Sequence, residues 1–227
     1  MKARVVKTPV VKDARLTTYV VTDAAAAGDR GVLAVIDAAV AGGATAVQLR
    51  EKTLPARDLY ELAVRAADVI AGRALLLVDD RVDVYLAARG AGAAIDGVHV
   101  GQSDLPVERV RALVGPDAVV GLTANTPAHL EAVVLLPAGT VDYLGVGVIR
   151  PTLTKPDHPA PLGPDGFAAI AAATALPCVA IGGIRVTDTP ALKSAGAAGL
   201  AVVSAVCAAP DPRAAAAEFA RAWEVAA

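Results

Sequence analysis

Short, unbroken apolar runs recur along the chain, at Leu16–Thr22, Thr45–Leu49, Ala74–Val78, Gly97–Val100, Ala118–Leu122, Tyr143–Val146, Cys178–Ile181 and Leu200–Val203. They are rich in β-branched residues and do not alternate with polar ones, which is the pattern of parallel strands buried on both faces. The segments between them keep a different rhythm. Gly31–Ala41, Ala56–Ile70, Val107–Leu113, Pro127–Leu136, Asp165–Ala173 and Pro190–Ala195 read at helical spacing. Asp211–Trp223 is a last amphipathic helix, with Pro212 in its first turn, where a missing N–H costs little. Strands alternating with helical stretches, with no composition break, predict a single α/β domain, a (β/α)8 TIM barrel over 15–227 behind a basic extension at 1–14. An open doubly wound sheet is the alternative. The Gly pairs at 42–43 and 182–183 are turn signals and do not extend to a dinucleotide fingerprint.

Composition narrows the class. With 55% hydrophobic but only 3% aromatic residues, the core must be built from Ala, Val, Leu and Ile, which disfavours a stacking platform for nucleic acid. A net charge of −2 gives no global pull towards polyanions, so any phosphate binding is local. Cys178 and Cys207 lie in apolar runs and read as buried free thiols rather than a disulfide. The uncharged stretches 166–184 and 194–210 are interrupted by Gly and Pro and read as helix, turn and strand, not as membrane spans. The basic start has no apolar run after its charges, so no signal peptide is expected and the reading is cytoplasmic.

In such a barrel the chemistry belongs at the carboxyl ends of the strands. The second strand ends in Gln48-Leu49-Arg50-Glu51-Lys52, where strand alternation puts Gln48, Arg50 and Lys52 on one face. Two cations and an amide there suit an anion; the competing reading is rim ion pairs with Glu51 or Asp23. Asp80 and Asp104 end neighbouring strands, so their carboxylates need a proton or cation between them. Magnesium would suit, while helix N-capping is the competing reading. The long connection after the sixth strand, 147–161, alternates Thr152 and Thr154 before Lys155, and reads either as a lid or as a proline-stiffened surface loop. Gly182-Gly183 with Ser204 fits a phosphate site formed by the last two strand ends, or a plain turn. His99, inside the fourth strand, reads as a satisfied core histidine rather than a catalytic one. No nucleophile triad or zinc spacing is present.

Taken together, Tyr19-Val-Val-Thr-Asp23, Gln48-Leu-Arg-Glu-Lys52, Asp80-Arg81, Gly97-Val-His-Val-Gly-Gln-Ser-Asp-Leu-Pro106, Asp142-Tyr-Leu-Gly-Val-Gly147, Pro151-Thr-Leu-Thr-Lys155, Ala180-Ile-Gly-Gly-Ile184 and Ala201-Val-Val-Ser204 resemble the thiamine-phosphate synthase family. The resemblance implies a transferase that joins a hydroxymethylpyrimidine diphosphate to a thiazole phosphate and releases diphosphate. It further implies that the C–O bond breaks first and that the thiazole nitrogen attacks the pyrimidine cation. Carried over by position, Gln48, Leu49, Arg50, Glu51 and Lys52 hold the pyrimidine diphosphate, with Arg50 and Lys52 on its phosphates, and Asp79 and Thr123 lie beside it. The resemblance likewise implies that Asp80 and Asp104 ligate Mg2+. Thr152, Leu153, Thr154 and Lys155 close over both substrates, and Gly183, Val203 and Ser204 take the thiazole phosphate. Arg50, Lys52, Thr123 and Lys155 carry the catalytic roles. The partners implied are these small molecules, with neither nucleic acid nor membrane; a homo-oligomer stays open.

Three positions depart from the family pattern. Asp79 stands where Asn is usual, Thr123-Ala124-Asn125 replaces a Ser-x-His run, and the loop begins Gly147-Val148 rather than Gly-Pro, with Arg150 for an apolar residue. Arg150 is expected to offset the added charge of Asp79. A thiazole phosphate tautomerase and a non-catalytic phosphate-ligand sensor are the competing functions on the same barrel.

Overall fold

The computed structural model describes residues 15–152 and 160–226. Eight parallel strands close into a barrel in sequence order: β1 (Thr18–Val21), β2 (Ala46–Leu49), β3 (Leu75–Asp79), β4 (Gly97–Val100), β5 (Val119–Thr123), β6 (Tyr143–Gly147), β7 (Cys178–Ile181) and β8 (Gly199–Val202). The last strand pairs with the first, Tyr19 opposite Ala201, so the open-sheet alternative is excluded. Each expected strand is present; β4 and β7 keep the expected bounds and the others shift by at most two residues at either end. Leu16 precedes β1 but is fully buried as a plug at the barrel's amino end.

The helices are α1 (Ala24–Ala27), α2 (Val32–Ala41), α3 (Ala56–Ile70), α4 (Val82–Gly90), α5 (Val107–Val114), α6 (Pro127–Val134), α7 (Gly163–Ala172), α8 (Thr189–Ser194), α9 (Ser204–Cys207) and α10 (Pro212–Val225). Asp211 caps α10 by accepting from Ala214 N (3.0 Å), with Pro212 in the first turn as expected. The helical spacing does not reveal α4, and the apolar run that holds Cys207 ends in the short helix α9. Both cysteines are buried free thiols, and burial pushes each up to about 11.

Strand alternation produces two apolar layers. Inward residues such as Leu16, Tyr19, Val21, Leu75, Leu77 and Tyr143 fill the barrel, while the intervening Val20, Val47, Leu76, Val78 and Val98 pack outward against the helices. At the amino end, Asp96 accepts from Leu76 N (2.8 Å) and Asp142 from Val120 N (2.7 Å), so each carboxylate stitches one strand to its neighbour. Arg111 binds Asp142 (2.6 Å) and the carbonyls of Gly115, Ala118 and Thr140, which tightens the face opposite the site. Among the described residues no helix is long and apolar enough to cross a membrane.

Candidate active site

A cavity of about 930 Å³ opens at the carboxyl ends of the strands, and all eight strands or their following loops contribute to it. From β2 come Gln48, Arg50 and Lys52, the same-face set that alternation predicted. Leu49 and Glu51 point the other way. Leu49 is fully buried in the outer core, and Glu51 does not line the cavity. Burial, then Asp23, raises the Glu51 carboxyl, with Arg50 opposing. Neither residue has the placement for substrate contact that the resemblance implied.

Arg50 and Lys52 do not form the rim pairs with Glu51 or Asp23 that the competing reading required. Asp23 instead caps α1, accepting from Ala26 N (2.9 Å). Lys52 Nζ lies 2.6 Å from Asp79 Oδ2 and also contacts Asp80 Oδ2, while Arg50 Nε is 3.8 Å from Asp79 Oδ2. Burial works against the Lys52 charge, but Asp79 and then Asp80 outweigh it and hold the amine above the ordinary lysine value. Asp79 is 9% exposed, and its burial raises the carboxyl while Lys52 and Arg50 pull it back. The expected compensation by Arg150 is not found. Arg150 instead makes a two-pronged bond to Asp188, Nη2 to Oδ1 at 2.6 Å and Nε to Oδ2 at 3.0 Å. Charge at Asp79 is met from β2, on its own side of the barrel.

The capping alternative for Asp80 and Asp104 also fails. α4 is preceded by Arg81 and α5 by Pro106, and neither helix start takes a side-chain cap bond. Asp80 donates its backbone N–H to His99 O (2.8 Å), extending the ladder, and then turns at φ +57°. That left-handed conformation is uncommon outside glycine, and it occurs here at a cavity wall. Asp104 accepts from Gly101 N (2.7 Å). Burial first, and then its nearness to Asp80, pushes the Asp104 carboxyl up, while the Gly101 N–H opposes. Two acidic side chains forced together at one rim form an all-oxygen donor pair, the kind a magnesium ion takes, completing its shell with water and phosphate oxygens. The donor set therefore fits the ion. No cluster of three or more ligating side chains occurs among the described residues.

Across the mouth, Thr123 and Thr152 reach the cavity wall; Leu153, Thr154 and Lys155 lie outside the described residues. Gly182 and Gly183 adopt φ of +99° and +64°. A Cβ at 182 would sit 2.5 Å from Val148 Cβ, and one at 183 would sit 2.8 Å from Pro151 O, so these glycines admit the loop after β6 as well as any ligand. Val203 and Ser204 line the cavity where β8 passes into α9.

The floor is polar, built on two buried phenols whose roles no motif marks. Gln48 Nε2 donates to Tyr19 OH (2.9 Å), Tyr19 and Tyr143 share a hydroxyl bond (2.9 Å), Tyr143 OH meets His99 Nδ1 (2.9 Å), and His99 Nε2 meets Thr123 Oγ1 (3.0 Å). His99 is thus buried and hydrogen-bonded, as a core histidine would be, yet it also lines the cavity. Asn125 carries no motif signal either; its Oδ1 accepts from Gly147 N (3.0 Å) and ties the loop after β5 to the end of β6. Two inward tyrosines in a chain with so few aromatics were the available signal.

Comparison with known proteins identifies the family of the barrel. A family model described as thiamine monophosphate synthase matches residues 18–206. The chain is 48% identical over 200 residues to a thiamine-phosphate synthase of Chloroflexus aurantiacus, covering 87% of this chain and 88% of that one. It is 41% identical over 201 residues to that of Psychrobacter sp., covering 88% and 92%. The structure of a thiamine phosphate pyrophosphorylase from Pyrococcus furiosus superposes with a TM-score of 0.80 at 32% identity, covering 93% of this chain and 97% of that one. With the β2 cations, the paired rim carboxylates and the glycine turn after β7 all converging on one barrel mouth, the chain belongs to the thiamine monophosphate synthase family.

Proposed function

We propose that this protein couples 4-amino-2-methyl-5-(diphosphooxymethyl)pyrimidine to a thiazole phosphate, giving thiamine phosphate and diphosphate. The observation that carries the reading is the placement of Arg50 and Lys52 on the same cavity wall as Asp80 and Asp104. A departing diphosphate accumulates negative charge as its C–O bond breaks. Cations fixed in advance around that position stabilise the transition state more than the ground state. Arg50 and Lys52 take this role, Gln48 orients the pyrimidine diphosphate, and Thr123 faces the leaving group. Asp80 and Asp104 would hold Mg2+, which when bound would neutralise charge on the diphosphate oxygens. Gly183, Val203 and Ser204 take the thiazole phosphate on the opposite wall, so its ring nitrogen approaches the cation left behind. Thr152, on the cavity wall, contacts the bound substrates. The protein works on small molecules in the cytoplasm.

A tautomerase has no use for a diphosphate grip beside an acidic pair, and a sensor has no use for a site that divides two substrates between opposite walls. Mixing the two substrates with and without magnesium, and following both diphosphate and thiamine phosphate, tests the reading. Stoichiometric appearance of the two products, abolished by chelator, is the expected result. Binding of the substrates without any diphosphate release would sink it.

A further inference from the structure

The five side chains on the cavity floor form an unbroken hydrogen-bonded line, and its direction can be worked out from donor counts. Gln48 Nε2 donates to Tyr19 OH. The partners of the Tyr19 hydroxyl among the described residues are Gln48 and Tyr143, and Tyr19 is 1% exposed. A phenol carries one proton. If Tyr19 also accepted from Tyr143, that proton would be buried without an acceptor, which costs about 1–3 kcal/mol. Tyr19 therefore donates to Tyr143. The same count applies one step on: Tyr143, fully buried, accepts from Tyr19 and must send its own proton to His99 Nδ1, 2.9 Å away. With Nδ1 accepting, a neutral imidazole carries its proton on Nε2 and donates to Thr123 Oγ1 at 3.0 Å. The Thr123 hydroxyl is then filled from behind, and its own O–H turns to the cavity it lines.

We propose that Gln48, Tyr19, Tyr143 and His99 act as a one-way hydrogen-bond chain that fixes the His99 tautomer and so commits the Thr123 hydroxyl to donate into the cavity. His99 is a positioning residue, acting through Thr123 on an anionic oxygen of the pyrimidine substrate.

Two further features suit this assignment. Burial raises the pKa of both Tyr19 and Tyr143, keeping the phenols protonated as the chain requires. The strands also make room for the line. A Cβ at Gly121 would lie 2.3 Å from Tyr143 Cζ and 2.4 Å from His99 Nδ1, and one at Gly145 would lie 3.0 Å from His99 Cε1. Two glycines on the neighbouring strands β5 and β6 thus leave the space that the Tyr143–His99 bond occupies. A purely apolar barrel filling would have no need of it.

The inference rests on the transferase reading only for the identity of the oxygen that Thr123 meets. Its test separates the two. Long-range 1H–15N correlation on the substrate-free full-length protein at neutral pH reads the tautomer of each of the three histidines, His99 being assigned by loss of its signals in His99→Gln. The expected spectrum shows His99 protonated at Nε2 alone. Gln48→Glu presents an acceptor to Tyr19, so it should reverse every bond and move the proton to Nδ1. A native ring protonated at Nδ1, a doubly protonated ring, or a tautomer unmoved by Gln48→Glu would each overturn the proposal, whatever the enzyme catalyses. In turnover, Thr123→Val should lower kcat by about tenfold to a hundredfold, the worth of one hydrogen bond to a charged group. Thr123→Ser should retain activity, and Tyr143→Phe should add little on top of Thr123→Val. Additive losses would count against the chain.

Discussion

Lys52 Nζ rests 2.6 Å from Asp79 Oδ2 and contacts Asp80 Oδ2 as well, so the cation assigned to the substrate's diphosphate is already engaged by two carboxylates before any ligand arrives. Asp79 stands where the family resemblance implies Asn, and its charge lies nine-tenths out of solvent. Diphosphate binding must therefore compete with an internal anion for Lys52. Asp79→Asn removes that competitor, and KM for the pyrimidine diphosphate should fall by about fivefold, the equivalent of roughly 1 kcal/mol for a half-exposed pair. The complementary change, Lys52→Met, should abolish most activity and also destabilise the fold, because it strands the Asp79 charge. Asp79→Asn added to Lys52→Met should restore stability in urea denaturation but not turnover. Exchange of Arg150 should rescue neither, since its guanidinium is held by Asp188.

The acidic pair at the rim makes a separate prediction. Asp80→Asn and Asp104→Asn each leave one carboxylate for the ion. Mg2+ affinity, measured by calorimetry in the presence of diphosphate, should weaken by at least about a hundredfold, beyond what loss of an outer-shell partner costs. Both variants should fold. Asp80 and Asp104 do not cap a helix, and relief of their mutual repulsion offsets what their removal costs. A variant with native metal affinity would remove that residue from the ligand set.

The barrel itself was legible because parallel strands buried on both faces leave continuous β-branched runs, and Val20, Leu76 and Val98 occupy the outward layer that such runs require. The rim was legible too, since strand ends in this architecture mark the site and alternation alone put Gln48, Arg50 and Lys52 together. What the sequence hid were the partners. Lys52 with Asp79, Arg150 with Asp188, and Tyr19 with Tyr143 join residues 27, 38 and 124 positions apart. Their meeting depends on barrel stagger and side-chain reach, which no local periodicity encodes. The four-residue helices α1 and α9 are too short to show a period at all.

Gly121 offers a test of how tightly the floor is built. Any side chain there meets the Tyr143 ring and the His99 imidazole inside van der Waals distance. Both neighbours are buried and held by hydrogen bonds, so neither can swing clear. Gly121→Ala should cost about 1–3 kcal/mol by overpacking, which for a chain of this size lowers Tm by roughly 2–4 °C per kcal/mol. Thermal unfolding at neutral pH reads the loss directly; a variant as stable as the native protein would mean that the floor is looser than the distances indicate.

Asp188 ties pH to the loop that follows β6. Its carboxyl takes both prongs of Arg150 and the backbone N–H of Arg185 (2.9 Å), so it spans the segments after β6 and β7. The Arg150 bonds, aided by Arg185 and opposed by burial, hold it below the ordinary carboxylate value. A folded-state acid weaker in proton affinity than its unfolded counterpart stabilises the fold fully above the unfolded value, and that contribution is lost as pH falls through the folded one. Native stability should therefore decline with acid across the range just below the ordinary carboxylate value. Asp188→Asn should begin lower and decline less over the same range in urea titrations. Arg150 and Pro151 also pack on Gly183, so the variant should raise KM for the thiazole phosphate while leaving KM for the pyrimidine diphosphate near native. An equal rise in both would show that this tie steadies the whole mouth rather than the wall beside Gly183.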